Sequence, residues 1–250
     1  VTNKYPLDRG VGNYITALID TCESTNDQNY LDSASLVIKN TISDGDTFEH
    51  LNLENIEDNW FYTIVLQSVY RFLLVKQQRQ QYDHSYWHIK SAFLHYADWM
   101  LANEQSYLKN PDVLEFPNHT WTAQDIRKAN ILYMAGYFCH DKQKQYHDKA
   151  DKFYDAVCKT LQHEPTKSQT RILAILMQNF GIKDFATKIK PPAKIRPVSI
   201  QKLSNKISRA RRYLEILIAT CKTTSLEKEK TWLRTHISIL ANQQDLDNEK

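Results

Sequence analysis

An all-α fold is predicted by three features of the sequence. Five glycines and seven prolines in 250 residues offer few of the tight turns that an antiparallel sheet needs. Apolar residues recur at spacings of three and four through most of the chain, the periodicity of amphipathic helices. Tyrosine, leucine, lysine and glutamine fill much of the rest, and the length suffices to bury a sizeable core. The arrangement expected is a body of antiparallel helical hairpins over residues 1–182, a basic Pro-rich linker over 183–198, and a C-terminal basic helical hairpin with a polar tail over 199–250.

Residues 1–10 read as an irregular lead-in. A short helix is predicted over 13–23, with Tyr14, Leu18 and Ile19 on one side. A second is predicted over 33–42, closed by Gly45 in the left-handed conformation. After Asn55, a plausible cap, residues 56–78 are apolar nearly all round, as in a helix buried among other helices. Its exceptions, Asn59, Thr63, Gln67 and Arg71, recur every fourth residue and form one polar line, which either meets partners or lines a cavity. A fourth helix over 85–103 places Tyr86, Ile89, Phe93, Tyr96 and Met100 on its core face. It also carries the stripe His84, His88, Ser91, His95 and Asp98. Two histidines at i and i+4 suit a metal ion, but His84 and His95 lie about 16 Å apart at helical rise, and hydrogen-bonded histidines at a helix interface are the simpler reading, so no metal site is assigned.

The segment Glu-Phe-Pro-Asn-His-Thr-Trp-Thr-Ala-Gln-Asp-Ile-Arg-Lys, 115–128, is the densest chemistry in the chain. Thr122 and Asp125 have the spacing of a capping box, which predicts a helix running to about Cys139 with Ile126, Ala129, Tyr133, Gly136 and Tyr137 facing the core. A sixth helix, 144–162, shows Tyr146, Ala150, Phe153, Val157 and Leu161 on one face. Pro165 ends that unit, and 169–180 is a compact apolar helix closed by Gly181. Residues 183–212 then carry ten basic residues against Asp184 alone, about +9 within a chain of net charge +3. The Pro-Pro-Ala-Lys-Ile-Arg-Pro run inside this segment is extended, and helices follow over 199–220 and 225–240.

Composition also excludes function classes. The longest apolar run, 60–75, is interrupted by Thr63, Gln67, Ser68 and Arg71 and falls short of the roughly 20 residues of a membrane helix. No secretory signal opens the chain, which begins at Val1 and reads as a processed chain or a fragment, so a cytoplasmic location is expected. Cys22, Cys139, Cys158 and Cys221 lack metal-finger spacing and read as isolated thiols. The basic stretch has no recognition helix, RNP-like pattern or glycine-rich phosphate loop beside it, which argues against nucleic acid, and no cofactor is implied.

Paired helices around an apolar layer, the phrase Phe-Leu-His-Tyr-Ala-Asp-Trp-Met-Leu at 93–101 and the Trp-Thr-Ala-Gln-Asp-Ile-Arg-Lys turn together resemble the α/α-toroids of polysaccharide-active proteins: glycoside hydrolases, polysaccharide lyases and uronyl epimerases. The resemblance covers about residues 50–182; a full toroid needs about twelve helices and about seven precede the linker, so either the toroid is incomplete or the sequence is the end of a longer chain with an upstream domain. It implies a carbohydrate-active or carbohydrate-binding domain with an anionic polysaccharide as partner. A hydrolase would use two carboxylates, Glu115 and Asp125, with Asp98 and Asp83 in reserve. A lyase or epimerase would use His119 or Tyr86 as base and Arg127 or Lys128 against the uronic acid. Trp121 would stack on a sugar ring, with Gln124, Gln67 and Arg71 as further substrate-binding groups. The alternative is a non-catalytic scaffold or protein-interaction domain. In it Asp125 serves the helix N-terminus, Trp121 plugs the core, Arg127 makes a salt bridge and Pro117 shapes the turn.

Overall fold

A computed structural model describes residues 5–189, which belong to the first of two units of the chain, Val1–Val198 and Ser199–Lys250. The expected Pro-rich run 191–197 and the helices over 199–220 and 225–240 lie outside the described residues. Within those residues the structure is helical and holds no strand. Helix α1 (Arg9–Thr25) starts earlier than its apolar pattern implies, because the Asp8 side chain accepts from Val11 N at 2.8 Å and caps it. Helix α2 (Gln28–Lys39) likewise starts at the Asp27 cap and stops at Asn40, ahead of Gly45, whose φ is not positive.

The single helix expected over 56–78 is two. A one-turn α3 (Ile56–Asn59), capped by Asn55, is followed by α4 (Tyr62–Gln78). The break is local: Thr63 N bonds Trp60 O and Ile64 N bonds Phe61 O, the tighter three-residue pattern, while the Trp60 and Phe61 rings lie 4.2 Å apart. Helix α5 (His84–Asn103) takes Asp83 as cap and buries its predicted face of Tyr86, Ile89, Phe93, Tyr96 and Met100.

Helix α6 (His119–Phe138) begins three residues before the proposed capping box. Asn118 is the cap and accepts from Thr120 N at 2.9 Å, so Thr122 is an interior, buried residue. Sixteen of the twenty residues of α6 are buried, since α4, α5, α7 (Gln143–His163), α8 (Thr170–Gln178) and α9 (Ile182–Lys188) all pack on it. α9 occupies residues that the sequence reading assigns to a linker. It is held on by buried Ala186, by Phe185, whose ring centroid lies 5.3 Å from that of Tyr137, and by Lys183, which pairs with Asp151 at 2.8 Å and sits over the Tyr154 ring. α1 lies close on α4 at Gly12, where a Cβ would approach the Ile64 carbonyl carbon and Val65 nitrogen to 3.1 Å. The largest fully buried side chains of the main core are aromatic, Tyr62, Phe72, Phe93, Tyr96, Tyr133 and Tyr146 among them, each phenylalanine contributing about 1.5–3 kcal/mol.

The C-terminus of α4 is a Schellman motif: Gln81 N donates to Lys76 O at 2.8 Å and Gln80 N to Gln77 O at 2.9 Å. Gln80 takes the left-handed position, φ 55°, where a Cβ is unfavourable. Replacing it, Gln80→Gly, should stabilise the fold by about 1 kcal/mol, read as a higher urea midpoint at unchanged m-value.

Candidate functional site

The 115–128 segment divides, in the structure, into a buried part, a half-buried part and a surface part. The buried part is a charge cluster. Lys128 is 0% exposed and Asp125 3%. The Lys128 ammonium lies 2.7 Å from Glu104 Oε2 and 3.2 Å from Asp125 Oδ1, donates to Gln105 O at 2.6 Å, and sits 3.2 Å from the centroid of the Tyr107 ring. Tyr62 OH donates to Glu104 Oε1 at 2.5 Å, and both Asp125 oxygens accept from Tyr107 N at 3.2 Å. Asp125 is therefore neither the partner in a cap nor an open carboxylate, because its lone pairs are used inside the protein. Burial pushes its carboxyl up to about 6, against the opposing pull of Lys128 and the Tyr107 N–H. Burial, reinforced by Glu104, also holds the Tyr62 hydroxyl well above its ordinary range.

The half-buried part is built on Arg127. Its guanidinium donates to three amide oxygens: Gln124 at 2.7 Å, Gln67, and Gln178 at 3.3 Å. Gln67 in turn donates to Asn179 Oδ1 at 2.5 Å, and Asn130 donates to the same oxygen at 3.0 Å. The expected salt bridge of Arg127 is absent among the described residues, and burial without a carboxylate lowers its pKa from the ordinary arginine value.

The members of the polar line, Asn59 on α3 and the other three on α4, each meet a partner of their own. Asn59 donates to Asn52 O at 2.9 Å and Thr63 to Trp60 O at 2.9 Å, while Gln67 joins the Arg127 cluster. Arg71 turns to α1, where it pairs with Asp20 and with Glu23 at 2.8 Å.

The surface part is a groove of about 680 Å³ beside the N-terminus of α6, lined by Leu108, Pro111, Pro117, Asn118, His119, Thr120, Thr166 and Gln169. His119 Nδ1 lies 2.8 Å from Thr166 Oγ1 and 3.8 Å from Glu164 Oε2. Thr166 and Gln169 escaped the sequence reading because they come from the turn before α8, forty-odd residues away, and carry no pattern of their own. Trp121 is half-buried, edge-on to Trp60 and Tyr107 at 5.9 and 5.4 Å, and its indole N–H donates to Phe116 O at 3.2 Å. Glu115 is exposed, and its backbone N–H is held by Glu57 Oε1 at 2.7 Å. Its carboxylate makes no hydrogen bond or ion pair with the other nominated residues.

No protein-family model, curated protein or solved structure matches the chain. The reserve groups are also committed to the fold. Asp98 accepts from Lys142 at 2.8 Å and Tyr146 at 2.7 Å, Asp83 caps α5 and pairs with Lys76 at 2.7 Å, and Tyr86 is buried and accepts from Gln77 at 2.8 Å. In the histidine stripe, His84 and His88 stack with centroids 6.0 Å apart, while His95 meets Asp46 O at 2.8 Å. No group of three metal-ligating side chains occurs among the described residues. There too no helix is long and apolar enough to cross a membrane, and Cys22, Cys139 and Cys158 are free thiols.

The Asp125 carboxyl supplies a pH test. Its folded-state value of about 6 lies above the ordinary 3.8, so the folded state holds this proton more tightly. The corresponding stability is fully present below pH 3.8 and is lost as pH rises through about 6, an effect of about 3 kcal/mol. Asp125→Asn removes this component. The urea-derived stability of wild type relative to the variant should therefore fall by about that amount between pH 4 and pH 7; a pH-independent difference would contradict the assignment.

Proposed function

We propose that the described unit is a carbohydrate-binding helical module without the carboxylate pair of a glycosidase. The observation that carries this reading is the make-up of the α6 groove. Its lining mixes apolar Leu108, Pro111 and Pro117 with the hydrogen-bonding side chains Asn118, His119, Thr120, Thr166 and Gln169, the two kinds of group that a sugar ring presents in its apolar face and its hydroxyls. The positive end of the α6 dipole favours a ligand carrying an acid, so an oligosaccharide of uronic residues fits better than a neutral one. Against hydrolysis stands Asp125, enclosed by Lys128 and Tyr107 and out of reach of any substrate.

The test is a melting and calorimetric comparison of oligogalacturonate with a neutral cello-oligosaccharide. Oligogalacturonate at about one hundred times its Kd should add about 2.7 kcal/mol and raise the melting temperature by several degrees. His119→Ala and Gln169→Ala should abolish the rise, with no chain cleavage in any arm. A flat response to both glycans would remove the carbohydrate reading, and cleavage products would remove its non-catalytic part.

A protein-contact reading has its own observation. Ile172 and Ile175 of α8 pack inward, yet Leu173, Met177 and Phe180 follow one another at four and three residues and are 44, 76 and 86% exposed. If this stripe mediates self-association, sedimentation of the wild type should depend on concentration and that of the double variant Met177→Glu, Phe180→Ser should not. A wild type monomeric at every concentration would exclude pairing through α8.

A further inference from the structure

A second groove, of about 490 Å³, lies on the opposite part of the sequence, between the segment that follows α2 and the end of α5, and is lined by Thr47, Phe48, Glu49, Asn52, Leu53, Glu54 and Trp99. Its walls are fixed by the fold. The Asp46 carboxylate accepts from Ser43 N and from Tyr96 OH, each at 2.8 Å. Asn52, in the left-handed conformation at φ 46°, has its carbonyl held by Asn59 Nδ2 at 2.9 Å. This anchoring lays Phe48 across α5, 4.8 Å from the His95 ring and 5.5 Å from the Trp99 ring at 28° to it, while the Tyr62 and Trp99 rings are nearly perpendicular with centroids 6.0 Å apart.

The chemistry of the lining is one-sided. Glu49 and Glu54 are exposed and make no ion pair or hydrogen bond among the described residues, whereas Asp83, Asp98, Glu104, Asp125 and Asp151 all have cationic partners. No lysine or arginine lines the groove, in a chain that carries a net charge of +3. The Trp99 indole N–H has no partner there either. An aromatic wall beside two uncompensated carboxylates attracts a weakly hydrated organic cation twice over, through the ring quadrupoles and through charge.

We propose that this groove binds an organic ammonium group, of the kind carried by a methylated lysine side chain or a polyamine, with Phe48 and Trp99 as the aromatic wall and Glu49 and Glu54 as the counter-charges. The site is independent of the α6 groove and of the glycan reading. The experiment follows the Trp99 indole N–H by 15N-resolved NMR of the full chain, with Trp99→Phe assigning the resonance. Acetyl-trimethyllysine amide and spermidine are titrated at constant ionic strength, against potassium chloride and a neutral trisaccharide. A saturable shift with the two ammonium compounds is expected, and the double variant Glu49→Gln, Glu54→Gln should weaken it about tenfold or more. Both positions are exposed, so this variant leaves the packing in place and its loss of binding does not depend on Trp99→Phe folding. Shifts no larger than those of potassium chloride, an equal response to the trisaccharide, or unchanged binding by the double variant would each overturn the proposal.

Discussion

The contact on which most of this unit depends is the burial of the Lys128 ammonium between Glu104 and Asp125. Lys128 and Asp125 belong to α6, Glu104 ends α5, Tyr62 opens α4, and Gln105 and Tyr107 come from the connection between α5 and α6. Moving an isolated ion from water into protein costs several kcal/mol, and the attraction of opposite charges in a medium of low dielectric offsets this only when the remaining donors and acceptors are also met. Here the Lys128 ammonium and both carboxylates are met from four directions at once, while the buried Tyr107 hydroxyl is left without a hydrogen-bond partner. The cluster therefore contributes less to net stability than to uniqueness, since any other register of α6 against α4 and α5 would bury these charges unpaired.

The same logic explains how a helix as polar as α6 can be enclosed by its neighbours. Gln124, Asp125, Lys128 and Asn130 are all buried, and each is hydrogen-bonded or ion-paired to a side chain or carbonyl from its own helix or from another element. Arg127 is the instructive case, because its fork is taken up by amide oxygens. A guanidinium is weakly hydrated and planar, so three well-placed neutral acceptors can hold it where an ammonium would require a carboxylate. The arrangement also couples α8 to the core. Gln178 contacts Arg127 directly, and Asn179 links Gln67 of α4 to Asn130 of α6.

Functional capacity is left to groups that the fold does not use. Most of the conspicuous polar residues of the 115–128 segment are consumed by packing, and the described surface carries, among other features, the two grooves and the apolar stripe. The groove beside α6 combines side chains distant in sequence, and so does the groove of Phe48 and Trp99. In both, the lining is set by loops pinned to rigid helices, through His119 and Thr166 in one and through Asp46 and Tyr96 in the other.

Helical class, the positions of most helices and their inward faces were legible in the sequence, because a 3.6-residue period in apolar side chains reports burial directly. The faces of α5 and α7 needed nothing more. Helix starts were less legible: Asp8, Asp27 and Asn118 are the caps, yet the first apolar residues lie several positions later and drew the expected boundaries inward. Thr122 and Asp125 mimicked a capping box because spacing alone cannot distinguish a cap from an interior pair. The sequence by itself therefore determined that the chain would form amphipathic helices, and which side of each would be apolar. Tertiary structure alone decided that Lys128 and Asp125 are core and that Arg71 faces α1, because the partners of a charged side chain come from other helices, and no periodicity within one helix records them.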